Sequence, residues 1–385
     1  MHRAWAGGEA VTGHEGTGAI AVALSGGVDS MAAALRLREG GRRLIGLTAL
    51  LADTPAAREG IARARALCSQ LHVEHHLVDL RDEFQRLIIR PFARDYERGR
   101  TPNPCVRCNE HIKFGLLLQE ALGVGAEALA TGHYARLRRD DTGRPYLLRA
   151  RDLHKDQSYV LHHLSHEQLS LAVLEHGEAT RADNERLVAH SGLEVRPSAE
   201  SQDICFLPDV DHGPWLRRVA PGAFEPGDIV DVDGRIVGRH AGLAGYTIGQ
   251  RKGLGVGGPG GRKFVLHLDT ASNRVIVGGD DDLWVRWCDV EDVNLIAPDL
   301  LTDDTNPAAP RVLECHVMTR YNGALTPATV TVQGGRAQVR FHSPTRAPTS
   351  GQSAVFYSRD RCLGGGVIDS TELTERFRSL EAHHD

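Results

Sequence analysis

Ala19-Ile-Ala-Val-Ala-Leu-Ser-Gly-Gly-Val-Asp-Ser30, AIAVALSGGVDS, joins a continuous apolar run to a polar loop with two adjacent glycines; an Ala/Leu/Arg-rich stretch then runs to about Glu39. The first run reads as a buried strand and the last as a helix, so the segment is strand, glycine loop, helix. Such a loop turns backbone N–H groups and the positive end of a helix toward one point, which suits phosphate oxygens. Gly26 and Gly27 permit close approach, and Asp29 is placed to help hold Mg²⁺ on a pyrophosphate. The Gly-Lys-Ser/Thr of the common phosphate loop is missing, which disfavours transfer of a γ-phosphate. The blander reading is a glycine turn with a capping Ser or Asp.

Outward from this stretch, Leu44 to Leu51 repeats the buried-strand pattern, residues 55 to 71 read as an amphipathic helix, and Val73 to Leu80 as a strand. Ile112 to Leu122 looks helical, Ala126 to Thr131 is a strand ending in Gly132-His133-Tyr134, and about Ser165 to His190 reads as helical. The alternation predicts an α/β domain with a parallel sheet and crossover helices. Pro208 to Arg286 is Gly-rich and reads as a small β-containing domain; beyond it, alternating segments such as Ala328–Val332 and Ala337–Phe341 predict an antiparallel β-barrel. The expected division is a disordered leader over 1–18, the nucleotide domain over 19–207, the central domain over 208–286, the barrel over 287–375 and a tail over 376–385.

Hydrophobic residues at 41% and charged residues at 25% match globular averages, and the longest apolar runs fall far short of a membrane span. No membrane partner is expected. The N-terminal stretch has no apolar core of signal-peptide length, and seven cysteines in 385 residues is too sparse for disulfide staples, so the expected compartment is the cytoplasm. A net charge of -5 argues against wholesale nucleic-acid coating but leaves local basic patches open. Of 45 basic residues only Lys113, Lys155, Lys252 and Lys263 are lysines.

The SGGVDS loop resembles that of the PP-loop ATP pyrophosphatases, whose fold is adenine nucleotide α-hydrolase-like and whose members split ATP between the α- and β-phosphates. Further motifs follow in order: Thr101-Pro-Asn-Pro-Cys-Val-Arg-Cys-Asn-Glu-His-Ile-Lys-Phe114, Ala130-Thr-Gly-His-Tyr-Ala-Arg136, Lys155-Asp-Gln-Ser-Tyr159, Ser201-Gln-Asp-Ile-Cys-Phe206, Tyr246 to Gly255, and Gly351-Gln-Ser-Ala-Val-Phe-Tyr357. Together they resemble the tRNA-specific 2-thiouridylases from about Ile20 to Ile368. The resemblance implies ATP-dependent adenylation of the C2 oxygen of a wobble uridine in tRNA, followed by sulfur insertion to give 2-thiouridine, AMP and pyrophosphate. It implies an ATP site at Ala23, Leu24, Ser25, Gly26, Gly27, Val28, Asp29, Ser30, Ala49 and Gly132. The target base would lie against Asn103, Pro104 and Cys105. His133, Lys155, Asp156 and Gln157 would surround the tRNA, with Arg320, Tyr321 and Gln352 reaching from the last domain. Arg251-Lys252 reads equally as an RNA-backbone contact and as a solvated loop.

Cys205 stands where the family carries the cysteine that receives sulfur as a persulfide, and Cys108 matches its disulfide partner. The best-known form of the family has aspartate where this chain has Cys105. A Cys-x-x-Cys pair serves as redox dithiol, half a zinc site or two cluster ligands. If Cys205 approaches the pair, as family geometry implies, three thiolates suit a 4Fe-4S cluster with one open iron that holds exogenous sulfide. The competitors are zinc on Cys105, Cys108, Cys205 and His111, and a persulfide cycle of Cys205 and Cys108. The sulfur donor is sulfide or a persulfide-carrying protein. A non-catalytic, metal-bearing RNA-binding protein would not need an intact SGGVDS, and an amidating synthetase would not need three thiols.

Overall fold

The computed structural model describes residues 18–193, 205–207, 212–256, 261–300 and 309–381. Residues 1–17 of the stretch read as a leader over 1–18, and Ser201 to Ile204 of the SQDICF motif, lie outside these. In chain order the first strands are β1 (Ala19–Ala23), β2 (Leu44–Leu50), β3 (Glu74–Asp79), β4 (Ala126–Thr131), β5 (Ala135–Arg139), β6 (Pro145–Arg149) and β7 (Ala172–Leu174). Five of these form a parallel sheet in the order β3-β2-β1-β4-β7. Alternate residues of β1 feed two cores, Ala19 and Ala21 on one face, Ile20 and Val22 on the other, which is why the strand is apolar throughout. Helices α1 (Val28–Glu39) and α2 (Pro55–Leu71) cover the second face together with the helix Arg181–His190. Pro55 at the first helical position and Thr54 Oγ1, which accepts from Ala57 N at 3.2 Å, start α2 where the sequence expects it.

The helical reading of Ser165 to His190 is corrected. The chain forms a short helix His166–Ser170, then β7, then Arg181–His190. Ser165 and Thr180 each build a reciprocal capping box that starts a separate helix, and the apolar Ala172-Val-Leu174 between them completes the sheet beside β4.

The central unit consists of β8 (Gly227–Asp231), β9 (Ile236–His240), β10 (Phe264–Asp269) and β11 (Arg274–Gly278) in the order β10-β11-β8-β9, with β11 and β8 parallel. The strands β12 (Trp284–Leu295), β13 (Arg311–Met318), β14 (Thr326–Gln333), β15 (Arg336–Arg346), β16 (Ser353–Ser358) and β17 (Arg361–Thr371) follow; pairing of β12 with both β15 and β17 closes them into a six-stranded antiparallel barrel. The span read as a tail begins inside a helix, Glu372–Glu381, which buries Leu373 and Phe377. Among the described residues no helix is long and apolar enough to cross a membrane.

The barrel and the nucleotide domain share one core. Ile296, Met318, Val355, Tyr357 and Cys362 cluster with Ile112, Phe114, Leu129 and Tyr159. Tyr159 Oη donates to the Ser353 carbonyl at 2.9 Å inside it. At its edge the half-buried Arg100 bonds Glu291 at 2.7 Å and Asp369 at 2.6 Å. Arg100→Met would leave the barrel carboxylate Glu291 without its cation and Asp369 with Arg336 alone. It is expected to cost about 2–4 kcal/mol, read as a lowered urea midpoint, and an unchanged midpoint would count against this ion triad as a clamp.

Candidate active site

The order β3-β2-β1-β4-β7 reverses between β1 and β4, and in an open parallel sheet ligands bind beyond the carboxyl ends of the strands at such a point. The loop Leu24–Gly27 leaves β1 there. Leu24 is tied down by its N–H, which donates to Leu47 at 2.7 Å, and by its carbonyl, which accepts from Thr48 Oγ1 at 2.9 Å. Gly26 takes a φ of +79°, and a methyl group there would meet the Gly60 carbonyl at 2.6 Å, so both conformation and space require glycine. Gly27 caps α1 with no side-chain hydrogen bond, leaving the first turn of a twelve-residue helix open to an anion. Ser30 Oγ accepts from Ser25 N at 3.2 Å and donates to the Gly27 carbonyl at 3.0 Å, bracing the loop from within.

Gly132, beyond β4, is more than a turn residue. A methyl group on it would stand 2.9 Å from Asp29 and 3.0 Å from Ser30 N, so the end of β4 is pressed onto the first turn of α1. Ala49 lies half-buried near the end of β2. The carboxylate of Asp29 is already engaged: Tyr134 Oη donates to one oxygen and Arg181 Nη1 to the other, each at 2.6 Å. Asn184 Nδ2 donates to Tyr134 Oη at 2.8 Å, and Arg36 bonds Asn184 in turn. An Mg²⁺ ion at Asp29 would therefore have to displace Arg181. Sequence reasoning assigned no role to Tyr134, although it lies in the quoted Ala130–Arg136 motif, and missed Arg181 and Asn184, which come from a distant segment and carry no spacing signal.

The thiols lie beside this point. Asn103 Oδ1 accepts from Cys105 N at 3.1 Å and Pro104 opens the turn Pro104–Arg107, which runs into a π-helix, Cys108–Leu117. The helix expected from Ile112 thus begins eight residues earlier. Cys105 and Cys205 are exposed while Cys108 is buried, and all seven cysteines are free. Desolvation pushes the Cys108 thiol up to about 12, opposed by the Lys113 ammonium and reinforced by Cys205 and Cys105. Desolvation also raises Cys105 and Cys205; each feels Lys113, and Cys205 feels Cys105. The three thiols therefore share one electrostatic neighbourhood. Among the described residues, however, no group of three or more His, Cys, Asp or Glu side chains converges tightly enough to hold a metal ion.

His111 does not join them. It turns toward Glu110, 3.6 Å away, on the side where His163 and Asp292 pack. Those groups line a cavity of about 510 Å³ between the π-helix and the barrel.

The residues that the resemblance arranges around tRNA divide into two layers. His133 and Asp156 are buried, 6% and 4% exposed. His133 bonds Thr131 Oγ1 at 2.8 Å, and Asp156 accepts from Arg149 Nε, from the N–H groups of Ala150 and Ser158 and from Ser158 Oγ. The polar atoms of both are hydrogen-bonded within the protein. Gln157 Oε1 accepts from Tyr134 N at 2.9 Å, tying the Lys155 loop to the end of β4. Gln352 Nε2 donates to the Thr101 carbonyl at 2.7 Å, so the barrel is tied to the TPNP turn. Arg320 and Tyr321 are exposed, and Tyr321 packs its ring 6.0 Å from that of Tyr159. Lys155 is half-buried and Arg251 and Lys252 are exposed.

Residues 18–209 match the family described as tRNA methyl transferase HUP domain, 217–279 its PRC-barrel domain, and 293–368 an aminomethyltransferase beta-barrel domain. The chain is 42% identical over 359 residues to the tRNA-specific 2-thiouridylase MnmA of Pelobacter propionicus, covering 91% of this chain and 97% of that one. With the protein of the same name from Chloroflexus aggregans it is 42% identical over 364 residues, 92% and 99% of the two chains. The solved structure of the U34-tRNA thiolase NcsA from Methanococcus maripaludis with its [4Fe-4S] cluster aligns at 17% identity and a TM-score of 0.34, covering 54% of this chain and 66% of that one, too loosely to carry an argument. With relatives this similar spanning nearly the whole of both chains, the protein belongs to the tRNA-specific 2-thiouridylase family.

Proposed function

We propose that the chain is a tRNA uridine 2-sulfurtransferase that uses ATP to activate the C2 oxygen of a wobble uridine and replaces that oxygen with sulfur. The observation that carries this reading is the meeting of phosphate loop and thiols at one sheet edge, where Gly132 packs on Asp29 and its neighbour His133 lies 3.4 Å from the Lys113 ammonium that acts on all three thiols. Methyl transfer, which two of the domain descriptions name, would use neither a nucleotide phosphate loop nor a thiol set.

In the proposed sequence the loop Ala23–Ser30, with Ala49 and Gly132, holds ATP, and Mg²⁺ sits on its pyrophosphate. Uridine O2 bonds to the α-phosphorus as the bond to pyrophosphate breaks, and the N3 proton leaves. A hydrosulfide then adds at C2, the C2–O bond breaks with its electron pair remaining on AMP, and the hydrosulfide proton passes to N3. Asn103, Pro104 and Cys105 wall the base. Lys155, Gln157, Arg320, Tyr321 and Gln352 hold the tRNA, while His133 and Asp156 shape that surface from beneath.

For the sulfur we propose a 4Fe-4S cluster on Cys105, Cys108 and Cys205. Thiolates suit such clusters, and cluster ligands bind separate iron corners, so they stand farther apart than the ligands of one ion. Cys105, Cys108 and Cys205, all free thiols in one neighbourhood, supply three such ligands, whereas a closed four-ligand zinc site would leave no place for sulfur. Bound there, the cluster supplies one iron free of protein ligands as a seat for sulfide.

Full-length protein given tRNA with an unmodified wobble uridine, Mg-ATP and sulfide is expected to form 2-thiouridine with one AMP per thiolated base. ATP cleavage without thiolation would reject the assignment. Anaerobically prepared protein is expected to carry iron and acid-labile sulfide, lost in Cys105→Ser, Cys108→Ser and Cys205→Ser alike. Iron-free protein that, given a persulfide-carrying donor protein in place of sulfide, thiolates normally as Cys105→Ser and accumulates a persulfide on Cys205 would establish the persulfide cycle instead.

A further inference from the structure

Lys113 is one of only four lysines in the chain and stands five residues beyond Cys108 on the π-helix Cys108–Leu117. The i→i+5 bonding of a π-helix stacks a residue over the one five positions earlier, whereas the tighter turn of an α-helix rotates the two onto different faces. The unusual helix thus brings the Cys108 thiol and the Lys113 side chain to one side. Lys113 Nζ lies 3.4 Å from His133 Nε2, and His133 Nδ1 lies 2.8 Å from Thr131 Oγ1. An ammonium only donates, so Nε2 is the acceptor and the ring proton sits on Nδ1, donated to Thr131. The imidazole is buried, and desolvation, then Lys113, holds it well below the usual histidine range, so it remains a neutral acceptor.

We propose that Lys113 is the electrostatic residue of the sulfur-transfer step and that Thr131 and His133 position it. The inference rests on the thiolation reading above. Lys113 shares the π-helix with Cys108, and its anchor His133 follows Gly132, which packs on Asp29 in the first turn of α1, so the cation stands where the thiol helix meets the nucleotide loop; its charge is felt at Cys105, Cys108 and Cys205 alike. During that step negative charge leaves the sulfur and reappears on AMP, and a fixed cation between the two stabilises it where it develops. Adenylation moves charge onto pyrophosphate, which the phosphate loop and Mg²⁺ hold, so that earlier step depends on Lys113 far less.

Single-turnover reactions of the full-length, anaerobically prepared protein with tRNA, Mg-ATP and sodium sulfide separate the two steps. Lys113→Met is expected to release pyrophosphate within a few-fold of the wild-type rate yet to form 2-thiouridine about 100-fold more slowly. Lys113→Arg should recover much of that loss, and Thr131→Val should slow the same step by about ten-fold. Unchanged iron content in Lys113→Met separates this role from loss of the thiol site. Lys113→Met that thiolates at the wild-type rate, or that loses pyrophosphate release and thiolation in equal measure, would overturn the proposal. Wild-type protein that forms no 2-thiouridine would instead refute the thiolation reading itself.

Discussion

The site depends on the approach of β4 to the first turn of α1. Gly132 has no side chain, and a single methyl group there would press on Asp29 and Ser30 N. Because β1 and β4 are neighbours on either side of the chain reversal, the groups leaving their carboxyl ends meet over one crevice. The loop after β1 presents a helix end for phosphate, and the turn after β4 presents His133 and Tyr134, one reaching Lys113 and the other Asp29. A bulkier residue at 132 would separate these two halves without touching either chemistry directly.

The barrel is built into this arrangement. Its strands share a core with the underside of the π-helix, and its loop Thr349–Gln352 bonds the Thr101 turn that leads to Cys105 and Cys108. Gly351 carries a φ of +90° and would meet Thr101 at 3.0 Å if given a side chain, so that contact too is close-packed. A rigid thiol turn gains from such support, since groups fixed before the substrate arrives need no reorganisation during the reaction. The ion triad of Arg100, Glu291 and Asp369 and the pair Arg107–Asp292 flank the same turn.

Much of this was legible in the residues. The apolar run before SGGVDS, the capping Thr54 with Pro55, and the alternation beyond residue 328 each state their element locally, because a strand buried on both faces, a capped helix start and a barrel strand have distinct patterns. The strand β7 was hidden because three apolar residues between two helices fit either period. The inward turn of His133 and Asp156 was hidden for another reason. Burial of a polar side chain is decided by partners such as Thr131 and Arg149 that only the fold brings near. The π-helix left no trace either, since CNEHIKFGLL has the apolar spacing of an ordinary helix.

That last point bears on why a lysine stands in a chain so rich in arginine. A guanidinium would present a planar fork and seek two acceptors at once, as Arg181 does by bonding Asp29 and Glu185. A compact ammonium on a flexible stem, by contrast, can be steered by one imidazole nitrogen. His133 fits that task because burial keeps it neutral and Thr131 fixes its tautomer, leaving the lone pair of Nε2 aimed at Nζ. The positive charge therefore resides on Lys113 rather than on the imidazole, and the histidine of the GHY turn serves that cation from within the protein.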